Sequence, residues 1–296
     1  MWIAEKSSIG YIKTVSEKAV IFESDVYVPF EPKKVHSELY EIVKKLRTDI
    51  RQSVGQLMPQ EGELILASYS ENDKARMYDG ENMLFYNIGS LAFRQNCKHH
   101  VAFCGDTERF SAYEQERSDV EERYFYSYEV VPECYVLDLL QNKKVCAHWN
   151  QVPIDMKYKQ SPTRYYAALR AGAKDIVFDN AIRENAPIGL RIELTLPRVS
   201  SAVAVMKPLV DGVICAFHGE KDTTTDVLCE LFEKDFVKQN IGMPEWNLLG
   251  DREYVTRYRG MNSFKWNPED ERLQFALITV HQGTRAEFSG ELYEWN

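Results

Sequence analysis

One stretch of the chain, Ile188-Gly189-Leu190-Arg191-Ile192-Glu193-Leu194-Thr195-Leu196, decides the fold. Its leucine and isoleucine side chains recur at every second position, which is the period of a β-strand with one buried face. Pro197 follows directly and lacks the backbone N–H that a sheet ladder needs, so the strand should end at Leu196. We therefore predict a long strand here, with the isoleucines and leucines toward the core.

Helices are predicted from apolar spacing and from residues that start and stop helices. A first amphipathic helix is predicted from apolar residues that fall on one face: Leu39, Ile42, Val43, Leu46, Ile50 and Val54. Ser161 and Pro162 suit the N-cap and first position of a second helix, and Gly172 suits its end. Thr223-Thr224-Thr225-Asp226 resembles a capping box and predicts the start of another helix.

Short β-type segments fill much of the remaining sequence. The predicted strands are Gly10–Val15, Lys18–Phe22, Glu63–Ser68, Met83–Tyr86, Val101–Cys104, Arg123–Val131, Lys144–Trp149, Leu273–His281 and Ala286–Tyr293. Gln282-Gly283-Thr284 predicts a hairpin turn between the last two strands. The expected fold class is α+β, with mixed, mainly antiparallel sheets and about four helices. Residues 1–155 form a β-rich region and residues 156–296 an α+β region, unless both share one domain.

Composition limits the classes of function. The 296 residues have a net charge of −9 and a sequence pI of about 5.3, which argues against binding DNA or anionic membrane over the whole surface. No segment approaches the roughly 20 apolar residues of a membrane span, so no membrane partner is expected. The six cysteines lie mostly in apolar runs and predict reduced, buried thiols, hence a cytoplasmic location.

Two motifs follow the strand that ends at Leu196. Met206-Lys207-Pro208-Leu209-Val210-Asp211-Gly212-Val213-Ile214 comes next, and Trp266-Asn267-Pro268-Glu269-Asp270-Glu271 precedes a later strand. The order of strand, helix with lysine and late acids resembles the Holliday-junction resolvases of the RusA type, over about a third of the chain. The resemblance makes Lys207 the helix lysine and Asp270, or its neighbour, the late acid. With Asp211, a further carboxylate in this half, they are the predicted catalytic residues.

The acidic pair of that family falls at Ser201 and Val203 in this chain. Metal-dependent phosphodiester cleavage needs two or more acids to hold Mg²⁺, so Mg²⁺ is an expected cofactor only if the chain is a nuclease. The leading hypothesis is a nucleic-acid-associated protein, a degenerate structure-specific nuclease that binds DNA or RNA without cutting it.

A second feature points to the same partner. Arg252-Glu253-Tyr254-Val255-Thr256-Arg257-Tyr258-Arg259, followed by Phe264-Lys265-Trp266, interleaves basic and aromatic residues. Basic side chains neutralise phosphates and aromatic rings stack on unpaired bases. The predicted nucleic-acid-binding residues are Arg252, Tyr254, Arg257, Tyr258, Arg259, Lys265 and Trp266. An ordinary edge strand with a solvated basic face is the alternative. The basic face of the first helix, with Arg47 and Arg51, is interpreted as solvated, with nucleic-acid contact as its alternative.

Three other features could support chemistry or binding. Cys97, His99 and Cys104 are candidate zinc ligands, although their spacing is not that of a standard zinc finger. Cys146 with His148, or Cys215 with His218, could form a nucleophile pair in a small-molecule enzyme. The segment Asp106–Glu129 holds eight acidic and three basic residues, and it or an aromatic patch could bind a protein partner. That non-enzymatic role is the alternative function.

Overall fold

The computed structural model of the chain describes residues 3–6, 10–30, 37–71, 79–105, 124–158, 161–172, 175–198, 201–240, 246–257 and 264–295. It confirms the predicted α+β class with mixed, mainly antiparallel sheets. In these ranges four helices have ten residues or more. None of the helices found there is long and apolar enough to cross a membrane.

The α-helices lie between groups of strands along the chain. The α-helices are α1 Ser37–Val54, α2 Glu133–Asp138, α3 Pro162–Ala171, α4 Ala202–Ala216, α5 Asp222–Leu231 and α6 Lys234–Asn240. A π-helical turn spans Asn82–Tyr86, and 3₁₀ turns span Ser90–Phe93 and Asp270–Arg272. The strands are β1 Ile3–Lys6, β2 Tyr11–Val15, β3 Ala19–Ser24, β4 Glu63–Glu71, β5 His100–Cys104, β6 Tyr124–Pro132, β7 Lys144–Pro153, β8 Ile176–Phe178, β9 Ile188–Leu196, β10 Gly219–Glu220, β11 Asp251–Arg252, β12 Val255–Arg257, β13 Phe264–Trp266, β14 Leu273–Gln282 and β15 Glu287–Glu294.

The chain divides into two compact units, each built from three chain segments. The first unit contains residues 1–142, 200–204 and 273–279, and the second contains residues 143–199, 205–272 and 280–296, as far as they are described. The main change of unit therefore falls at 142/143, whereas the sequence predicts a boundary near residue 155. The short returns at 200–204 and 273–279 have no counterpart in the predicted division.

The first unit is a sheet with strand order β1-β2-β3-β6-β4-β5-β14. Its strand pairs are antiparallel except β4 with β5, which is parallel. Helix α1 contacts β3 and the Ser90–Phe93 turn. Its apolar stripe is buried at Val43, Leu46, Ile50 and Val54, as the helical spacing predicts, whereas Ile42 is half-buried and Leu39 is exposed.

The second unit is a sheet with strand order β9-β15-β7-β8, in which every neighbour is antiparallel. All five alternating apolar side chains of β9 are buried, so the prediction for this strand is confirmed: Ile188, Leu190, Ile192, Leu194 and Leu196. Two smaller pairs complete the unit, β10 with β11 in parallel and β12 with β13 antiparallel.

Two local predictions are wrong, and a third is right only in part. The segment Met83–Tyr86 is not a strand but part of the π-helical turn. A short apolar run fits either structure, because periodicity cannot separate a buried strand from a buried helical turn. Strands β14 and β15 do not form a hairpin, because β7 and β9 occupy both edges of β15. The helix predicted from Thr223-Thr224-Thr225-Asp226 is present as α5, but it begins at Asp222. Its N-cap is Lys221, which makes no side-chain capping bond, so the predicted capping box does not form. Thr224 lies inside the first turn, where its hydroxyl donates to the Arg252 carbonyl.

Candidate functional site

Helix α4 presents a row of ionisable side chains in the second unit. Lys207, Asp211 and Cys215 are spaced four residues apart, and His218 comes two residues after the helix ends at Ala216. Residues three and four apart lie on one side of a helix. Most of the remaining α4 side chains are apolar and buried, so this row is the chemically distinct side of the helix.

The three predicted catalytic residues come together at the first turns of this row. The Nζ atom of Lys207 lies 3.1 Å from Oδ1 of Asp211 and 2.5 Å from Oδ2 of Asp270. The side chains of Lys207, Asp211 and Asp270 are 27%, 12% and 15% exposed. The cluster is therefore partly accessible to solvent, and Asp270 reaches it from a 3₁₀ turn 63 residues along the chain from Lys207.

The cluster holds two carboxylates against one cation. Burial raises the pKa of Asp211 to about 6, the Lys207 charge opposes that rise, and the Asp270 charge adds to it. No group in the described part of the chain donates a well-aligned hydrogen bond to Oδ1 of Asp211, although Lys207 lies close. Below the pKa of Asp211, the cluster reduces to one ion pair beside a neutral carboxyl group.

The cluster does not fit Mg²⁺. The two carboxylates already share Lys207, and within the described residues no group of three or more His, Cys, Asp or Glu side chains could hold a metal ion. The two positions where acids are missing have structural roles. The Ser201 hydroxyl accepts the backbone N–H of Ala204 at 3.3 Å, and Val203 is buried. These residues therefore supply no further oxygen ligand of the kind Mg²⁺ prefers.

A buried polar cluster lies around Arg170, a residue that the sequence analysis does not single out. Arg170 is fully buried. Its Nη2 atom is 2.7 Å from Oε1 of Glu220 and donates to the carbonyl of His218 at 2.8 Å. Its guanidinium lies 4.6 Å from the centre of the Trp246 ring. The sequence gives no signal for this, because an arginine in the last turn of a helix is usually exposed.

Tyr254 belongs to this buried cluster and not to a binding surface. It is 0% exposed, its hydroxyl donates to Glu220 at 3.0 Å, and it shares a 2.8 Å hydrogen bond with Tyr166. The predicted base-stacking role of Tyr254 is therefore wrong, because a ring enclosed by its own unit cannot meet a base.

The other predicted nucleic-acid-binding residues divide into paired and open side chains. Arg252 lies 2.7 Å from Glu269, and Arg257 pairs with Glu230. Lys265 is exposed and Trp266 is half-buried on β13. Tyr258 and Arg259 lie outside the described residues. The segment forms two short strands, β11 and β12, instead of one continuous strand.

The predicted zinc ligands do not form a site. Cys97 is buried, and burial raises the pKa of its thiol to about 12. Cys104 is also buried, while His99 is exposed. The described side chains include no metal-binding group to which the three could belong.

Neither cysteine–histidine pair has the geometry of an activated nucleophile. Burial raises the pKa of Cys215 well above its ordinary value. His218 places Nδ1 3.0 Å from the Gly250 carbonyl, and burial lowers the pKa of His218 to about 4. In the other pair, burial raises the pKa of Cys146, and His148 meets Asp179 at 2.7 Å instead. Both thiols are therefore kept in the unreactive protonated form.

Comparison of the chain with models of known protein families, with curated proteins and with solved structures finds no match.

Proposed function

We propose that this protein binds nucleic acid through the β12–β13 ribbon and does not cleave it with Mg²⁺. The observation behind this proposal is the register of the ribbon, which pairs Arg257 with Phe264 and Thr256 with Lys265. Residues directly opposite in an antiparallel pair share one face, so a basic and an aromatic side chain lie together. A two-stranded ribbon is also narrow enough for the major groove of DNA.

The ion pairs of the ribbon decide which basic residues are available. Arg257 and Glu230 are 57% and 45% exposed, and an exposed pair of this kind contributes about 0–1 kcal/mol. A phosphate group can therefore replace Glu230 at small cost. Arg252 is only 26% exposed, pairs with Glu269 and donates to the Asn267 carbonyl. Successive residues of a strand point to opposite faces, so Arg257 and Lys265 lie on opposite faces of the ribbon. We assign contact with phosphates to both, each from its own face, and a structural role to Arg252.

Absence of cleavage follows from the Lys207 cluster. Asp211 and Asp270 face one lysine, and the resemblance places the missing acids at Ser201 and Val203. A protein that kept the fold of a resolvase without these acids would retain binding and lose metal-dependent hydrolysis.

The test is binding to labelled single-stranded, duplex and four-way-junction DNA at low and moderate salt, with and without Mg²⁺. We expect salt-sensitive binding, no cleavage, and a salt slope reduced by about 1 for each phosphate contact removed in Arg257→Ala and Lys265→Ala. Lys18→Ala and Lys157→Ala are matched controls, because both lysines are exposed and each pairs with one acid. Equal losses of DNA affinity in the control variants would exclude the ribbon as the binding site. Cleavage of any DNA with Mg²⁺ would overturn the proposal that the protein does not cut nucleic acid.

A protein-interaction role is the second candidate. Residues 106–123 of the acidic segment lie outside the described residues. The supporting observation is an aromatic patch in the first unit: Phe30 and Tyr86 are 57% and 47% exposed and stack with ring centres 5.2 Å apart. Paired exposed rings are typical of interface anchors. Failure of all three DNA probes to bind at low salt, with a protein partner lost in Phe30→Ala, would favour this role.

A further inference from the structure

Two arginines of helix α1 converge on one backbone carbonyl in the first unit. Arg47 and Arg51 are one helical turn apart, and both donate Nε–H to the oxygen of Ile88, at 3.0 Å and 2.5 Å. Each guanidinium group is therefore held through its Nε atom. Their Nη atoms, which make the bidentate contacts of arginine, take no part in these two bonds.

Gly89 makes room for this arrangement. Its φ of 113° lies in the region that side chains rarely adopt, and a Cβ atom there would sit 2.5 Å from Nη2 of Arg51. Any larger residue would therefore be strained and would displace the guanidinium. The missing side chain of Gly89 leaves the space that the Arg51 guanidinium occupies.

The charge of this pair is not balanced by an acid among the described residues. Neither guanidinium has a carboxylate oxygen of that part of the chain within 4.0 Å, in contrast to Arg170, Arg252 and Arg257 of the second unit. Two acids of α1 have other partners, since Glu41 faces Lys44 and Asp49 accepts the Tyr11 hydroxyl. Burial, together with the Arg51 charge, lowers the pKa of Arg47, so the two like charges are held together at a cost.

We propose that Arg47 and Arg51 form an oxyanion site that holds one phosphate group. Two guanidinium groups that share an anchor present four Nη donors to a single tetrahedral anion, and the anion removes their mutual repulsion. The ligand chemistry is a phosphate oxyanion, whether a free ion or a group within a larger molecule. The site belongs to the first unit and does not depend on the β12–β13 ribbon of the second.

The experiment measures the thermal stability of the full chain in inorganic phosphate and in chloride at equal ionic strength, since a ligand that binds the folded state raises Tm. We expect phosphate to raise Tm in the wild type, and Arg47→Gln and Arg51→Gln each to weaken phosphate binding about tenfold. Lys44→Gln is the matched control, because it removes one exposed charge from the same helix. Arg51→Lys keeps the charge and loses the fork, and should weaken binding less than Arg51→Gln.

Two results would overturn this site: no difference between phosphate and chloride in the wild type, or an equal loss in Lys44→Gln, which would indicate diffuse charge attraction. If Arg51→Gln does not fold, Arg51→Lys decides the question, and phosphate binding by it at full affinity would count against the fork.

An oligonucleotide without terminal phosphates distinguishes the two sources of phosphate, a free ion and a group within a larger molecule. If it competes with inorganic phosphate in the Arg257→Ala variant, the site accepts backbone phosphates, and if only the free ion binds, the site takes small anions. Neither result depends on the ribbon.

Discussion

The arginines of α1 and those of the β11–β12 segment look alike in the sequence and differ in the structure. Arg47 and Arg51 share a backbone carbonyl and have no acidic partner in the described part of the chain. Arg252 and Arg257 each lie within 4.0 Å of a glutamate. The difference shows that a basic run in the sequence does not measure available positive charge, because that depends on which acids the fold brings near.

The largest effect should come from the most deeply paired arginine. Arg170→Met leaves Glu220, whose side chain is 7% exposed, as a buried charge without its cation. Breaking a buried pair by removing one partner costs about 3–5 kcal/mol, and urea denaturation should show a loss of that order. Arg257→Met removes the exposed partner of Glu230 and should cost about 0–1 kcal/mol. If both variants lose the same stability, depth of pairing is not what separates these arginines.

A smaller effect is expected from the pH dependence of Asp211. Burial raises the pKa of Asp211 to about 6, above the ordinary value of about 3.9. The folded state therefore binds more protons between these two values, so the contribution of Asp211 to stability is fully present below about pH 4 and is lost as pH rises through 6. The loss assigned to Asp211 is at most about 3 kcal/mol, and Asp211→Asn should remove it.

The measurement is the free energy of unfolding of the wild type and Asp211→Asn between pH 4 and pH 7, taken as a difference. A difference is needed because burial lowers the pKa of His218 to about 4, and that residue destabilises the fold as pH falls through the same range. Parallel stability curves for the two proteins would mean that Asp211 ionises freely beside Lys207.

The smallest effect should come from the unpaired arginines. In the absence of phosphate, Arg51→Gln should change stability by less than about 0.5 kcal/mol. It breaks no ion pair, the Ile88 carbonyl keeps its bond from Arg47, and one repulsion is removed. Urea denaturation in chloride measures this. A loss above about 1 kcal/mol would assign Arg51 a structural role, and would weaken the case for an oxyanion site.

Parts of the fold that depend on local patterns could be predicted from the sequence. The alternation in β9 sets its buried face, and Pro162 and Gly172 bound α3 as predicted. The hairpin between β14 and β15 could not be judged locally, because β9 and β7 take both edges of β15. The pairing of a strand with segments that are distant in the sequence cannot be predicted from the residues of the turn beside it.

The candidate site shows the same limit. Lys207 and Asp270 could be named because a resemblance joined residues that are distant in the sequence, and Asp211 because it is a further carboxylate in the same half. The burial of Tyr254 could not be foreseen, because it depends on Tyr166, 88 residues away. The polar cluster around Arg170 gave no signal either, since nothing in the pattern of α3 separates a buried arginine from an exposed one.

The pairing of β14 with β5 has a consequence for synthesis of the chain on the ribosome. Strand β5 pairs with β4 on one side and with residues 275–279 of β14 on the other. Until Leu273–Thr279 has left the exit tunnel, β5 is an open edge, and its Val101, Ala102 and Phe103 have no strand on the side that β14 later covers. An apolar edge of this kind invites pairing with other nascent chains. Chaperone demand should therefore persist until translation passes β14.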